Sequence, residues 1–216
     1  MFSSRRTLLA MSSLHGGDSR AFCVLGVDPA VAGATGYGVV ESDGRRCRML
    51  RLGALRPAAP PRGSLATHLR DIHTMVSELI SEFQPHGVAV ESVFTALNVK
   101  TALSLAEVRG VVLLAAAQAG IPSFSYSPRE VKARVAGYGQ AGKEQVQQMV
   151  RAMLQLSETP EPTDASDALA VALCHIHVSE AEERMAAGFG PASGAVPSRS
   201  PRRRNQAIAV RTVPSR

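Results

Sequence analysis

The chain has no tryptophan, and its aromatic residues amount to only 4% of the sequence. Cysteine is nearly as scarce. Cys23, Cys47 and Cys174 stand far apart with no CxxC pair, which excludes a zinc ribbon and a disulfide scaffold. Reduced thiols lying in apolar runs fit a cytoplasmic setting. No stretch reaches the roughly 20 apolar residues that a membrane span needs. Ser4–Ala10 has twin arginines, but the apolar run behind them stops at Met11 and no small-residue cleavage site follows. We therefore expect a disordered leader over residues 1–20 rather than an export signal. No internal repeat is visible.

Charge of one sign is also missing from the middle of the chain. The formal net charge is +6. Residues 1–20 hold three Arg against one Asp, and residues 181–216 hold seven Arg against two Glu. Residues 21–180 hold 14 Lys and Arg against 15 Asp and Glu. The basic balance thus belongs to the ends, and any anion-binding surface in the middle must be a local patch. Beyond Gly188 the Ala/Ser/Pro/Arg composition predicts disorder, so we expect a folded unit over 21–180 and a basic tail over 181–216.

What is present is a regular alternation of short apolar runs and longer periodic ones. Ala21–Asp28 (AFCVLGVD) reads as a buried strand ending in an acid. Thr35–Glu41 and Cys47–Leu55 read as two more strands, with Ser42-Asp43-Gly44 turning between them. From Ser64 to Phe83 apolar residues recur at helical spacing. Gly87–Glu91 (GVAVE) is a short buried strand, again ending in an acid. Val99–Ala119 is apolar on nearly every side around Arg109, as a helix packed on two surfaces would be. Ile121–Tyr126 predicts a fifth strand, and Pro128–Ala136 and Lys143–Leu156 predict helices. A last helix opens near Thr163 and runs to about Glu180. Three strands joined by short turns must be antiparallel, while strands linked through helices are parallel. The expected fold class is α/β, a five-stranded mixed sheet with helices on both faces.

The acids suggest chemistry. An acid at the end of a buried strand is costly unless it is paired or binds a cation, and both Asp28 and Glu91 stand at such ends. Asp164 and Asp167, three apart on the last helix, share one of its faces. If the two strands are neighbours and the helix crosses their ends, four carboxylates converge and repel one another until divalent cations neutralise them. Hard oxygen ligands select Mg²⁺ or Mn²⁺, and two such ions can drive phosphodiester hydrolysis. Each acid also has a plainer explanation. Asp28 precedes Pro29 and could start a turn; Glu91 could pair with an arginine; Asp164 and Asp167 could cap a helix.

Taken together, five segments resemble the successive sequence blocks of the RuvC family of Holliday-junction resolvases. They are Leu25–Tyr37 (LGVDPAVAGATGY), Val90–Leu97 (VESVFTAL), Arg109-Gly110-Val111, Ser127–Lys132 (SPREVK) and Pro162–Leu169 (PTDASDAL). The resemblance covers roughly residues 22–178. It implies an RNase H-like fold, with Asp28, Glu91, Asp164 and Asp167 as the catalytic, metal-binding acids. It implies two Mg²⁺ ions per site with Mn²⁺ as a substitute, and symmetric nicking of a four-way DNA junction in recombination and repair. Phe94 matches an aromatic that stacks on a base near the crossover, and Lys132 and Lys143 match basic positions used on DNA. Arg129 and Arg134 lie in the same local basic patch, as phosphate contacts would. A homodimer acting beside the branch-migration proteins RuvA and RuvB, with no membrane association, is the implied assembly. One departure stands out: the family usually has Gly where this chain has Ala30. If that position needs positive φ, Ala would cost about 1 kcal/mol there.

Other readings stay open. Gly137–Glu144 (GYGQAGKE) nearly spells a phosphate-binding loop, but Glu144 stands where a Ser or Thr hydroxyl is needed and no clear strand precedes it. ATP binding there is excluded. An actin-like ATPase also opens with an acid on a hairpin, but that fold needs two such domains. A non-catalytic DNA-architecture protein would use the basic residues and leave the acids dispensable. Another RNase H-like nuclease, acting on RNA–DNA hybrids or transposon ends, would differ only in substrate. His175 and His177 match no metal spacing and read as ordinary surface or packing residues.

Overall fold

The computed structural model describes residues 21–31, 33–57, 64–92 and 99–188. The expected leader over 1–20, residues 189–216 of the expected tail, and Phe94 lie outside them. Among the described residues no helix is long and apolar enough to cross a membrane.

Five strands form one sheet in the order β3-β2-β1-β4-β5. β1 (Phe22–Asp28), β2 (Thr35–Ser42) and β3 (Cys47–Leu55) are antiparallel, as their short connections require. β4 (Gly87–Glu91) runs parallel to β1, and β5 (Ser123–Tyr126) runs parallel to β4. β5 begins two residues later than the sequence suggests. Pro122 has no N–H to give the ladder, although its carbonyl accepts from Val88 N–H at 2.9 Å.

Among the described residues, five helices cover the two faces. α1 (Leu65–Phe83) starts where Ser64 caps it, the Ser64 Oγ accepting from Thr67 N–H at 3.1 Å. It stops at Gln84, which adopts the left-handed conformation at φ 45°. α2 is Val99–Gln118, α3 is Pro128–Ala136 and α4 is Lys143–Met153. α3 opens with a full capping box: Ser127 Oγ accepts from Glu130 N–H, and the Glu130 carboxylate accepts from Ser127 N–H at 2.7 Å. α5 (Thr163–Gly188) extends eight residues past the expected end. Ala181–Ala187 is rich in good helix formers, and nothing breaks the helix before Gly188.

Alternation along the strands sorts the core into two layers. Leu25, Val27, Val39, Val88 and Val90 pack with Ile72, Val76, Val108 and Val112 of α1 and α2. Val24, Val40 and Ala89 face the other way, toward α3, α4 and α5. The stretch Ala168–Ile176 of α5 is buried on every side, because this helix lies between the sheet and α3 and α4. Uniform apolarity is what such a position demands. His175 fills part of that layer, stacked on Phe124 at 4.0 Å between ring centroids and hydrogen-bonded through Nδ1 to Tyr126 Oη at 2.7 Å. Burial pushes its pKa down to about 4, so it is a neutral packing residue. The three cysteines are free thiols.

Candidate active site

The same alternation places the acids. On β1 the residues facing α5 are Val24, Gly26 and, two further on, Asp28. On β4 they are Ala89 and then Glu91. β1 and β4 are parallel neighbours paired through Val27 and Val90, so the next residue on each strand is one of the two acids. Both side chains therefore leave the sheet at the same end and on the face that α5 covers.

α5 comes unusually close. Gly26 pairs with Gly38 across β1 and β2, and Gly36 pairs with Asp28. A Cβ on Gly26 would collide with the Ala168 carbonyl, and one on Gly36 would collide with the Asp164 carbonyl. A Cβ on Gly38 would lie 2.6 Å from the Leu169 side chain. These three glycines form the bed on which α5 rests, and they set its first turns against the ends of β1 and β2. Their placement went unread in the sequence, although the spacing Gly36-x-Gly38 on a strand is a visible signal of close backbone approach.

Four half-buried carboxylates result. The Asp28 and Glu91 carboxyls share a hydrogen bond. Burial raises the Asp28 pKa to about 8, helped by Glu91 and then by the charges of Asp167 and Asp164. Burial also raises that of Glu91, with the Asp28 hydrogen bond, Lys132 and Lys143 working against it. Asp28 closes a strand, and Glu91 pairs with Asp28 rather than with an arginine. α5 begins at Thr163, so Asp164 lies inside its first turn and is not the cap.

Two lysines complete the cleft. Lys143, at the start of α4, donates from Nζ to Asp167 Oδ2 at 2.7 Å, and this hydrogen bond raises its pKa. Lys132 lies on α3. Glu91, Asp167, Lys132 and Lys143, with Pro128, Val131 and Val146, line an open cleft of about 190 Å³. Arg129 and Arg134 are exposed on α3 but do not line it. Arg109 lies on α2 and donates from Nη2 to Ser125 Oγ on β5 at 2.6 Å.

Ala30 carries no strain. Among the described residues the non-glycines with positive φ are Gln84 and Gln155, so the expected cost at Ala30 does not arise. Its backbone is clasped by the buried Thr35, whose Oγ1 accepts from Ala30 N–H at 3.1 Å and donates to the Ala30 carbonyl at 3.2 Å.

As they stand, no three of the described acids are close enough to grip one ion together; Asp28 is bonded to Glu91, and Asp167 to Lys143. The donor set nevertheless suits a hard divalent cation. It is all carboxylate oxygen, and Asp28 and Glu91 hold their protons more tightly than free acids because burial and neighbouring carboxylates disfavour their charge, the condition that a dication relieves.

Known proteins match this chain in sequence and in fold. Residues 24–175 match the model of the family described as crossover junction endodeoxyribonuclease RuvC. A curated protein of that description from Pelotomaculum thermopropionicum is 47% identical over 156 residues, covering 71% of this chain and 92% of the relative. The structure of Thermus thermophilus RuvC in complex with a Holliday junction substrate is similar with a TM-score of 0.70 and 36% identity. That match covers 74% of this chain and 96% of the other. A yeast mitochondrial Holliday junction resolvase shares the fold, with a TM-score of 0.57 at 13% identity over 87% of this chain and 90% of that one.

Proposed function

Because the chain belongs to the RuvC family of crossover junction endodeoxyribonucleases, we propose that it resolves four-way DNA junctions by metal-dependent nicking, with Asp28, Glu91, Asp164 and Asp167 as its catalytic acids. The observation that carries this reading is the placement of Asp28 and Glu91 on adjacent parallel strand ends facing α5, beside two lysines. The nuclease unit is the sheet with its described helices, the expected 21–180 domain lengthened to Gly188 by the end of α5.

These four carboxylates would hold Mg²⁺, two ions per site with Mn²⁺ as a substitute, and the ions would supply charge neutralisation and an activated water for phosphodiester hydrolysis. The chain's own side chains do the rest. Asp28 and Glu91 are fixed by the ends of two paired strands, and Asp164 and Asp167 by a helix that the glycine bed cannot let drift. The backbones that carry the donors are thus fixed before substrate arrives. Lys143 holds the Asp167 carboxylate in place and, with Lys132, offers a cation to the backbone phosphate entering the cleft. Arg129 and Arg134 extend the positive track outside it. Phe94, which follows Glu91 by three residues, would hold an opened base near the crossover.

Resolution needs two cuts. Val99, Leu103 and Leu114 of α2 are 75%, 62% and 51% exposed. Leu103 and Leu114 are roughly three helical turns apart and so share a face, an apolar stripe suited to a second copy. A homodimer of this kind would bring two sites to a two-fold junction for symmetric nicks. RuvA and RuvB would act beside it in the cytoplasm, in recombination and repair. Junction preference is tested by competing a labelled four-way junction with unlabelled linear duplex in EDTA, with sedimentation equilibrium on the same sample. The reading predicts a dimer that keeps the junction against a large excess of duplex. Equal competition by duplex would reject it.

A further inference from the structure

The glycine-rich stretch Gly137–Gly142 fails as a nucleotide-binding loop, and the acidic cleft gives it no part. It runs from the end of α3 to Lys143 at the start of α4, and its backbone is held. Gly137 ends α3 in the left-handed conformation at φ 77°. Ala141 N–H donates to the Tyr138 carbonyl at 3.0 Å, and the Ala141 methyl is buried in the α3–α4–α5 layer. Gly139 lies against Arg129, whose Cγ would stand 2.8 Å from a Cβ placed there.

A loop fastened in this way holds Tyr138 out in solvent. Its side chain is 61% exposed and makes no hydrogen bond or ring contact among the described residues. It is the only large exposed aromatic among them. Its neighbours in sequence are cationic: Arg129, Lys132 and Arg134 precede it on α3, and Lys143 follows. The Glu130 carboxylate is turned back into the capping box of α3. Lys132 stands four residues, roughly 6 Å of helical rise, before the end of α3 at Ala136, and Tyr138 follows two residues on. An aromatic ring set among phosphate-binding cations is the combination that holds single-stranded nucleic acid, where bases stack on rings and the backbone follows the charge.

We propose that Tyr138 is a further DNA-contacting and specificity-determining residue, its ring packing on the face of an unpaired base whose strand is held by Arg129, Lys132 and Lys143. This rests on the junction-binding reading. A base face is open to such a ring near a branch point and closed inside a linear duplex, so Tyr138 favours the junction without adding charge.

The test compares wild type with Tyr138→Ala and Tyr138→Phe in EDTA, measuring affinity for a four-way junction and for a linear duplex across a salt series. Tyr138→Ala weakens junction binding about tenfold, as loss of one stacked base would, and changes duplex binding by less than about twofold. Its salt slope stays that of wild type, since no phosphate contact is lost. Tyr138→Phe keeps the ring and binds the junction within about twofold of wild type. Unchanged junction affinity in Tyr138→Ala overturns the proposal, and so does an equal loss on both DNAs. If wild type itself shows no junction preference, the junction reading is what fails. Thermal melting of both variants at the wild-type temperature confirms that the fold is intact.

Discussion

Replacing Asp28 with Asn abolishes cleavage while leaving junction binding and the fold in place. The substitution is isosteric, but it removes a charged donor from the centre of the acid cluster. A metal acting on phosphate supplies several kcal/mol of transition-state stabilisation, so losing it slows the reaction by about 1,000-fold or more. The same change acts on stability with the opposite sign. Asp28 binds its proton more tightly in the folded protein than in the unfolded chain, its pKa rising from 3.8 to about 8. An acid of this kind supports the fold while protonated. That support is complete below about pH 4 and is lost as pH rises through about 8. Asn stays neutral throughout. In EDTA at pH 9 the variant therefore melts above wild type, and at pH 5 the gap narrows. A variant that melts lower at pH 9, or that still cuts DNA at the wild-type rate, contradicts this placement of Asp28.

Gly36→Ala produces the second large effect, from a residue with no reactive group. The new methyl would overlap the Asp164 carbonyl, so either β2 or the start of α5 must move. Backbone cannot yield as the end of a flexible side chain can, and overpacking of this kind costs about 1–3 kcal/mol or more. In a domain of this size that is a fall of roughly 2–12 °C in melting temperature. Activity falls further than stability does. Asp164 and Asp167 ride on the helix end that is displaced, and a shift of about 1 Å in catalytic groups can cost 100-fold in rate. Gly44→Ala is the control. Gly44, unlike Gly36, has positive φ, but its turn has open space and lies at the other end of β2 from Gly36. It should lose some stability and keep its rate. Equal loss of rate in both variants would show that the glycine bed does not position the acids.

Much of this was legible in the sequence because the signals were local. An apolar run closing in Asp28 or Glu91 marks both a buried strand and a charge that needs a partner. Among the described residues, the five strands and five helices lie where periodicity places them. The shifts at their ends have local causes, such as Pro122 at the start of β5 and the helix-forming residues that carry α5 to Gly188. The contacts across the sheet were less visible. Gly26, Gly36 and Gly38 are ordinary in the one-dimensional pattern, and their meaning appears only when Gly26 is paired with Gly38 and α5 is laid over them. The hydrogen bond between Asp28 and Glu91 and the ion pair between Lys143 and Asp167 join residues 63 and 24 positions apart, which spacing alone could not connect. Tyr138 sat inside a motif that sequence comparison with phosphate-binding loops could only reject.

The central claim is that the four acids at the ends of β1, β4 and α5 cut four-way junctions with a divalent metal. It is tested most directly by incubating the protein with an end-labelled four-way junction, a linear duplex and an RNA–DNA hybrid, each with Mg²⁺ or with EDTA. The account predicts paired nicks at symmetry-related positions in the junction with Mg²⁺, none in EDTA, and negligible cutting of the duplex and the hybrid. Cutting of the junction in EDTA, or preferential cutting of the hybrid or the duplex, would contradict it.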